Sequence, residues 1–488
     1  MKISSPLAMA GFLTVAATLG TTPLSAQVKP KNIVFILSDD HRHDFMGFHP
    51  NAPKFLETPA LDRMAKEGAH VKNAFVTTSL CSPSRASILT GVYAYQHEVV
   101  DNSRQIREDA VFFPELLDKA GYNTAFVGKW HMGGHTAAPQ PGFDRWVSFP
   151  GQGVYIDPEM NIDGKKVMMK GYMTDILSDY AMEFLRQQDG SKPFLLYLSH
   201  KAVHADFEPA PRHKGKYKDV KLEYPATMAK TVANYEGKPR WVYEQRFGWH
   251  GVDYLYHGEM DFDTFYRSYA ETLLAMDESV GKVIEHLDKT GLAKDTLVIY
   301  MGDNGFSFGE HGLIDKRHAY EESIRVPMVA WAPGMIEPGT VVDEMVLNVD
   351  IAPTLLAAAN IRTPDWMHGR SFAPLLEGKK IADWRDSFVY TYYWEYNFPH
   401  TPTVFALRED RYKYMFYHGV WDKNELYDLQ ADPLERRNLI DSPEHAEIVE
   451  AMKTRLFDWL EEAGAVDVKF QRPLWGQQDE RLMHECVP

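Results

Sequence analysis

Cysteine is scarce in this chain: 488 residues contain two, Cys81 and Cys486. At most one disulfide can form, which excludes a disulfide-built scaffold and leaves open that one thiol carries special chemistry. Positive charge is also short. Lys and Arg number 52 against 68 Asp and Glu, a formal net charge of -16. That excludes the basic face needed for general nucleic-acid binding, so no nucleic-acid partner is expected. A polyanionic ligand would have to be met by a local cationic pocket inside an acidic shell. After Ala26 no apolar run approaches the roughly 20 residues that cross a bilayer, so no membrane span is expected in the mature chain. Internal repeats and low-complexity segments are absent from the sequence.

The first 26 residues read as a signal peptide. Lys2 is the basic start, Leu7 to Leu19 the apolar stretch, and Leu24-Ser25-Ala26 the cleavage site. An exported protein, periplasmic or secreted, is expected. The 44% hydrophobic and 25% charged content is that of a globular protein. The length exceeds one compact core. The expected organisation is a catalytic α/β domain over 27–365 and a smaller α+β unit over 366–488.

Strand signals come first. Asn32 to Ser38 is a continuous apolar run, and Thr124 to Gly128, Phe194 to Ser199 and Thr296 to Met301 are similar. Helical patterns separate them. One opens at Thr58-Pro59 and closes at Gly68; others cover Pro114 to Ala120, 173–188 and 266–290. This alternation predicts a large, mostly parallel sheet flanked by helices. From Phe388 the pattern changes to short strands, Phe388 to Trp394, Thr403 to Arg408, Tyr412 to His418 and Glu425 to Leu429. A helix from Pro443 to Ala463 follows, which predicts a small antiparallel sheet plus helix. Pro209 to Gly251 reads as an insertion over one face of the large sheet.

In an open α/β sheet, ligands bind beyond the carboxyl ends of the strands. Here the strands run into Asp39-Asp40, Lys129-Trp130-His131, His200 with His204, and Asp303-Asn304-Gly305. Singly these are turn formers; together they point to one site. Asp39, Asp40, Asp303 and Asn304 offer only oxygen, which suits calcium or magnesium and not zinc. Cys81-Ser82-Pro83-Ser84-Arg85-Ala86-Ser87-Ile88-Leu89-Thr90-Gly91 predicts a helix with Cys81 at its N-terminus and Gly91 at its end. Arg85 then lies one turn on and can reach back. The competing reading of Cys81 is a buried structural thiol or a bridge to Cys486.

This cysteine motif, with Asp39-Asp40, Gly128-Lys129-Trp130-His131, Ala202-Val203-His204, Gly302-Asp303-Asn304-Gly305 and Asp315-Lys316-Arg317, resembles the type I formylglycine-dependent sulfatases of the alkaline phosphatase superfamily. Arg325-Val326-Pro327 and Glu425-Leu426-Tyr427-Asp428-Leu429 extend the likeness. The resemblance implies an alkaline phosphatase-like fold and a sulfuric ester hydrolase. It implies that a formylglycine-generating maturation enzyme converts Cys81 to formylglycine, whose hydrated diol attacks sulfur. Arg85, Lys129 and Lys316 would match the charge of the transition state. One calcium ion would be held by Asp39, Asp40, the modified Cys81, Asp303 and Asn304. His204 would protonate the leaving oxygen and His131 would serve the diol. His204 lacks the family's flanking prolines, and His200 competes for its role.

The chain is most similar in look to carbohydrate sulfatases acting on N-acetylglucosamine-6-sulfate, or to polysaccharide sulfatases of the ulvan kind. A sulfated carbohydrate is the expected substrate. Asp101, Asn102, Arg104, Glu310, His311, Trp394, Glu395 and Arg408 are candidate pocket walls, since aromatic faces stack on sugars and carboxylates bond hydroxyls. A phosphodiesterase or phosphonate hydrolase of the same superfamily is the alternative enzyme.

Overall fold

Alternate residues of the first strand face opposite ways, and both faces are buried. Val34 and Ile36 join one core, while Ile33, Phe35 and Leu37 join another. Such a strand needs helices above and below it. The computed structural model, which describes residues 31–133, 136–254, 261–419 and 422–466, supplies them. Residues 1–26 and Cys486 lie outside the described residues.

The strands in chain order are β1 (Asn32–Ser38), β2 (Ala69–Phe75), β3 (Asn123–Lys129), β4 (Arg145–Phe149), β5 (Glu159–Ile162), β6 (Lys165–Met168), β7 (Phe194–Ser199), β8 (Thr296–Gly302), β9 (Met328–Trp331) and β10 (Thr340–Leu347). They form one ten-stranded sheet in the order β10-β2-β9-β8-β1-β7-β3-β4-β5-β6. The five central strands β8-β1-β7-β3-β4 are parallel throughout. Helices Met173–Arg186 and Phe262–Thr290 cover one face. Helices Cys81–Thr90, Phe113–Lys119 and Ile351–Ala358 cover the other. The expected α/β architecture is therefore found.

β11 (Ser387–Tyr392), β12 (Thr403–Glu409), β13 (Tyr412–His418) and β14 (Glu425–Asp428) form the antiparallel sheet in sequential order, backed by helix Ala446–Ala463. Its other face packs on the end of β2 and on segments that follow the large sheet's strands, with Phe388, Tyr390, Val404 and Tyr427 in one core with Phe75, Leu80, Tyr320 and Ile324. Charged groups are buried in the same seam. Lys413 reaches Glu321 at 3.0 Å and Glu435 at 2.8 Å, and Lys238 donates to the Tyr427 hydroxyl at 2.6 Å.

The segment Pro209 to Gly251 departs from expectation. Its first part does ride on a sheet-covering helix, with the Gly215 and Tyr217 N–H groups on the Glu271 carboxylate at 2.8 Å. Its second part crosses to the small sheet. There Asp422 accepts from the Arg240 and Trp241 N–H groups at 2.8 and 2.9 Å, and Trp241 packs edge-on to Tyr417. It is a bridge between the two sheets, because Lys238 meets both Tyr320 of the large unit and Tyr427 of the small sheet, and Trp241 packs on the small sheet.

No helix among the described residues is long and apolar enough to cross a membrane. Replacing Lys413 by Met should leave Glu321 and Glu435 facing each other without their shared cation. Chemical denaturation should show a loss of about 3–5 kcal/mol; a change under about 1 kcal/mol would mean that the seam does not depend on this charge.

Candidate active site

Strand register places the reactive termini side by side. Ser38 pairs with Gly302, Leu37 with Ser199, and Ser199 with Gly128. The residues that follow, Asp39-Asp40, Asp303-Asn304, His200 to His204 and Lys129, therefore emerge at one edge. The backbone crosses between these termini. Asp303 N–H donates to Ser38 O at 2.9 Å, Asp39 N–H to Ala202 O at 2.9 Å, and Val203 N–H to Asp39 O at 2.8 Å. Gly128 has φ +131°, and a Cβ there would lie 1.7 Å from Ser199 O. Only glycine allows this approach of β3 to β7. Asp40 (φ 50°) and His131 (φ 55°) take the left-handed region without being glycine, at a cost of about 1–3 kcal/mol each that the surrounding packing must bear.

Cys81 is the first residue of helix Cys81–Thr90, every residue of which is buried. Gly91 ends the helix in the left-handed conformation and donates to Ser87 O at 2.8 Å. The residue before Cys81 is Leu80, which has no capping oxygen. The role falls to Asn102, whose Oδ1 accepts from the Ser82 N–H at 3.0 Å.

Around Cys81 the charges interlock. Its thiol donates to Asp39 Oδ1 at 3.3 Å and receives the Lys316 ammonium at 3.1 Å. Arg85 donates to Asp303 at 2.9 Å, Asp39 at 3.1 Å, Ser199 Oγ at 2.6 Å and Lys129 O at 2.7 Å. Lys129 binds Asp39 and Gln152, and Lys316 binds Asp40. Burial opposes the charge of Asp39, yet Lys129, His204 and Arg85 hold its carboxyl well below the usual range. Asp40 goes the other way, to about 7, because burial and the neighbouring Asp39 and Asp303 outweigh Lys316.

Oxygens of Asp39, Asp40 and Asp303 lie within 4.8 Å of one another. Asp40 Oδ2 and Asn304 Oδ1 are buried and have no hydrogen-bond partner among the described residues. Buried oxygens are rarely left so. Two unpartnered oxygens in an all-oxygen donor set fit a hard divalent cation.

The two histidine candidates separate. His204 belongs to a group with Asp39 and Cys81, its Nε2 lying 3.9 Å from Asp40 Oδ2. Its Nδ1 sits on Ala205 O, which can only accept, so Nδ1 carries the proton and Nε2 faces the carboxylates. Burial, then Lys129 and Lys316, push His204 well below the ordinary range; an anion bound beside those lysines would act in the opposite direction. His200 is fully buried, neither ring nitrogen has a partner among the described residues, and burial lowers it to about 3. The charge that acts on it is Asp175, on a helix covering the sheet, and none of the carboxylates or cations around Cys81 does so. His131 is also pushed down, by burial and then Lys129, and its Nδ1 lies 3.3 Å from Ser82 Oγ.

Of the expected pocket walls, several are committed elsewhere. Asp101 Oδ1 accepts from the N–H groups of Ser103 and Arg104, forming a turn. Glu310 pairs with Arg42 at 2.7 Å. His311 stacks on Tyr320 at 4.1 Å, its lowered pKa caused by burial and then Lys238. Arg408 is buried on Glu321 and over the Phe75 ring in the seam between the sheets. These four follow structural needs: a turn, an ion pair, a ring stack and a buried counter-charge. Trp394 remains 38% exposed, with Nε1 donating to Pro399 O. Glu395 is not free to bind a sugar, because it holds Arg317 at 2.7 Å and accepts from the Tyr392 hydroxyl. Arg317 also lies over Phe398 and pairs with Asp315, which His250 faces at 3.4 Å. Both neighbours of Lys316 are thus pinned by the bridging segment and the small sheet. The partners Gln152, Ser199, Tyr155 and Lys201 carry no motif signal in the sequence, although Ser199 and Lys201 adjoin a strand end already singled out.

A family model described as Sulfatase matches residues 31–361, and one described as N-sulphoglucosamine sulphohydrolase, C-terminal, matches 309–462. An N-acetylglucosamine-6-O-sulfatase of Bacteroides thetaiotaomicron is 34% identical, over 87% of this chain and 85% of that protein. An ulvan-active sulfatase of Formosa agariphila is 27% identical, over 95% of this chain and 89% of its own. A solved structure in complex with its substrate D-glucosamine-2-N,6-O-disulfate has TM-score 0.82 and 31% identity, covering 91% of this chain and all (100%) of the other.

Burial and the Asp39 charge push the Cys81 thiol up to about 12. The thiolate is the nucleophile, so unmodified Cys81 is inert at neutral pH despite its helix position. In folded protein carrying the thiol, iodoacetamide at pH 8 should leave Cys81 unalkylated over hours and modify it at once after unfolding, as read by peptide mass. Rapid labelling of the native protein would contradict this electrostatic account.

Proposed function

The chain belongs to the sulfatase family, and we propose that it is an exported glycan O-sulfatase that works through formylglycine made from Cys81 and through one calcium ion. The observation that carries this reading is the position of Cys81. A thiol too weakly acidic to react stands at a helix N-terminus, touching Lys316 and the oxygen-only group of Asp39, Asp40 and Asp303. Such surroundings suit an oxygen nucleophile attacking a centre ringed by anionic oxygens. The signal-like residues 1–26 support export.

Formylglycine, formed by a maturation enzyme, would hydrate to give one hydroxyl for attack on sulfur and a second whose deprotonation releases sulfate. Calcium, held by Asp39, Asp40, Asp303, Asn304 and the modified side chain, would supply positive charge to the nucleophile and the sulfuryl oxygens. Lys129 and Lys316 supply positive charge directed at the same oxygens, in a buried setting where it counts for more than in water. Arg85 keeps Asp39 and Asp303 in place. In the substrate complex, where the bound anion offsets Lys129 and Lys316 and lets Nε2 of His204 take up a proton, that imidazolium would give the proton to the sugar oxygen as the S–O bond breaks. His131, beside Ser82, would take a proton from the second hydroxyl. A 6-O-sulfated glucosamine is the first substrate to test, given the relatives' names, with ulvan fragments as the second.

Purified matured protein should release sulfate from glucosamine-6-sulfate and not phosphate from glucosamine-6-phosphate. A chelator should stop turnover and calcium should restore it. Intact mass should show Cys81 lighter than the thiol, and Cys81→Ala should be folded and inactive. Faster phosphate release, or turnover that survives the chelator, would sink the proposal.

A sugar alkoxide needs a proton to leave, and an aryl oxide needs it far less. His204→Ala should therefore lose about 10²–10⁴-fold on the sulfated sugar and clearly less on an aryl sulfate. His200→Ala should lose both equally through packing alone. The opposite pattern would transfer the acid to His200.

A further inference from the structure

Three cations of the centre are each matched by a carboxylate: Arg85 by Asp39 and Asp303, Lys129 by Asp39, and Lys316 by Asp40. A fourth is not. Lys201 is only 3% exposed, and its ammonium makes no hydrogen bond or ion pair among the described residues. Its company is the face of Tyr155, whose centroid lies 4.5 Å from Nζ. A ring face offsets part of the cost of burying a charge, but an ammonium removed from water normally finds an anion.

The position of Lys201 is built into the site. It begins the turn that ends at His204, closed by the His204 N–H on Lys201 O at 2.9 Å. That turn is fastened to Asp39 through the two backbone hydrogen bonds of Ala202 and Val203. Tyr155 serves both ends: its ring lies under the Lys201 ammonium and its hydroxyl donates to His204 O at 2.8 Å. The charges that act on Lys201 are Lys129, Asp39, Asp206 and Asp40, three of them members of the centre. Burial, then Lys129, bring its pKa to about 8, so it stays mainly protonated at neutral pH.

We propose that Lys201 binds an anionic oxygen of the substrate, and that the substrate completes the ion pair the protein leaves open. This rests on the sulfatase reading above and adds a residue to it. The oxygen can come from the scissile sulfuryl group or from a second anionic substituent on the same sugar. Both present the same chemistry to an ammonium, and measurement separates them.

Lys201→Met and Lys201→Arg would be made in the matured enzyme. Calorimetric binding of inorganic sulfate reads the sulfuryl group without turnover. The KM for 6-O-sulfated glucosamine with and without an N-sulfate reads a second anion. Lys201→Met should weaken at least one of these by about tenfold or more, with melting temperature equal to or above wild type, since an uncompensated buried charge has gone. Lys201→Arg should recover most of the loss. Weaker inorganic sulfate binding identifies the scissile group; a loss confined to the N-sulfated sugar identifies the second anion. Both readouts within about twofold of wild type would overturn the proposal. So would a fall in melting temperature that tracks the loss and is not rescued by Arg. If wild-type enzyme hydrolyses no sulfate ester, the sulfatase reading fails, and the calorimetric arm still decides Lys201.

Discussion

The carboxylate of Asp39 is fully buried and is shared by Arg85, Lys129 and the Cys81 thiol. No member of this group is stable in the interior alone. Removing a carboxylate or a guanidinium from water costs several kcal/mol, which only close, hydrogen-bonded partners offset. The elements that bring those partners are therefore fixed relative to one another: β1 through Asp39, β3 through Lys129, the Cys81 helix through Arg85, and β8 through Asp303. The parallel register does the coarse alignment, and the buried charges set the fine one.

The balance of the group is uneven. Asp39 is held ionised while Asp40 and Asp303 are pushed upward, each by burial first and by the neighbouring carboxylates. Two of the oxygens there have no partner among the described residues. Lys201 has no hydrogen-bonded or ion-paired carboxylate among the described residues. The Asp40 and Asn304 oxygens thus fall short of positive charge, and the Lys201 ammonium falls short of negative charge. A divalent cation and an anionic substrate would relieve these two opposite imbalances, and each would help the other bind.

The small sheet contributes to the chemistry from a distance. Lys316 reaches Cys81 and Asp40 from a loop whose flanking residues, Asp315 and Arg317, are held by His250, Glu395 and Phe398. Glu395 and Phe398 follow β11, and His250 ends the bridging segment. The seam beneath, with Lys413, Lys238, Glu321 and Glu435, carries its own buried charges. A loop held by ion pairs on both sides keeps a lysine in one place without a rigid element of its own.

The sequence alone determined four of the five central strands, the helix that begins at Cys81, the antiparallel sheet and the family. These are local: continuous apolar runs, a Pro near the start and Gly at the end of a helix, and residues whose order along the chain is their signature. The remaining strands β2, β4, β5, β6, β9 and β10 were not legible, because each is short or interrupted by polar residues, or lacks a clear apolar pattern, and owes its pairing to neighbours. The turn between β5 and β6 did hold a signal: Asp163 and Gly164 both have positive φ, as a two-residue hairpin wants. Asn102, Glu395, Arg408 and His311 are residue types that could bind a sugar, and only the tertiary structure assigned them to a helix cap, a lysine loop, a buried ion pair and a ring stack. It likewise separated His204 from His200, four residues apart, and brought Lys201 into view. The reason is common to all of them. Which partner a polar side chain meets is set by which distant segment is packed beside it, and a buried charge accepts only the arrangement in which its partners arrive together.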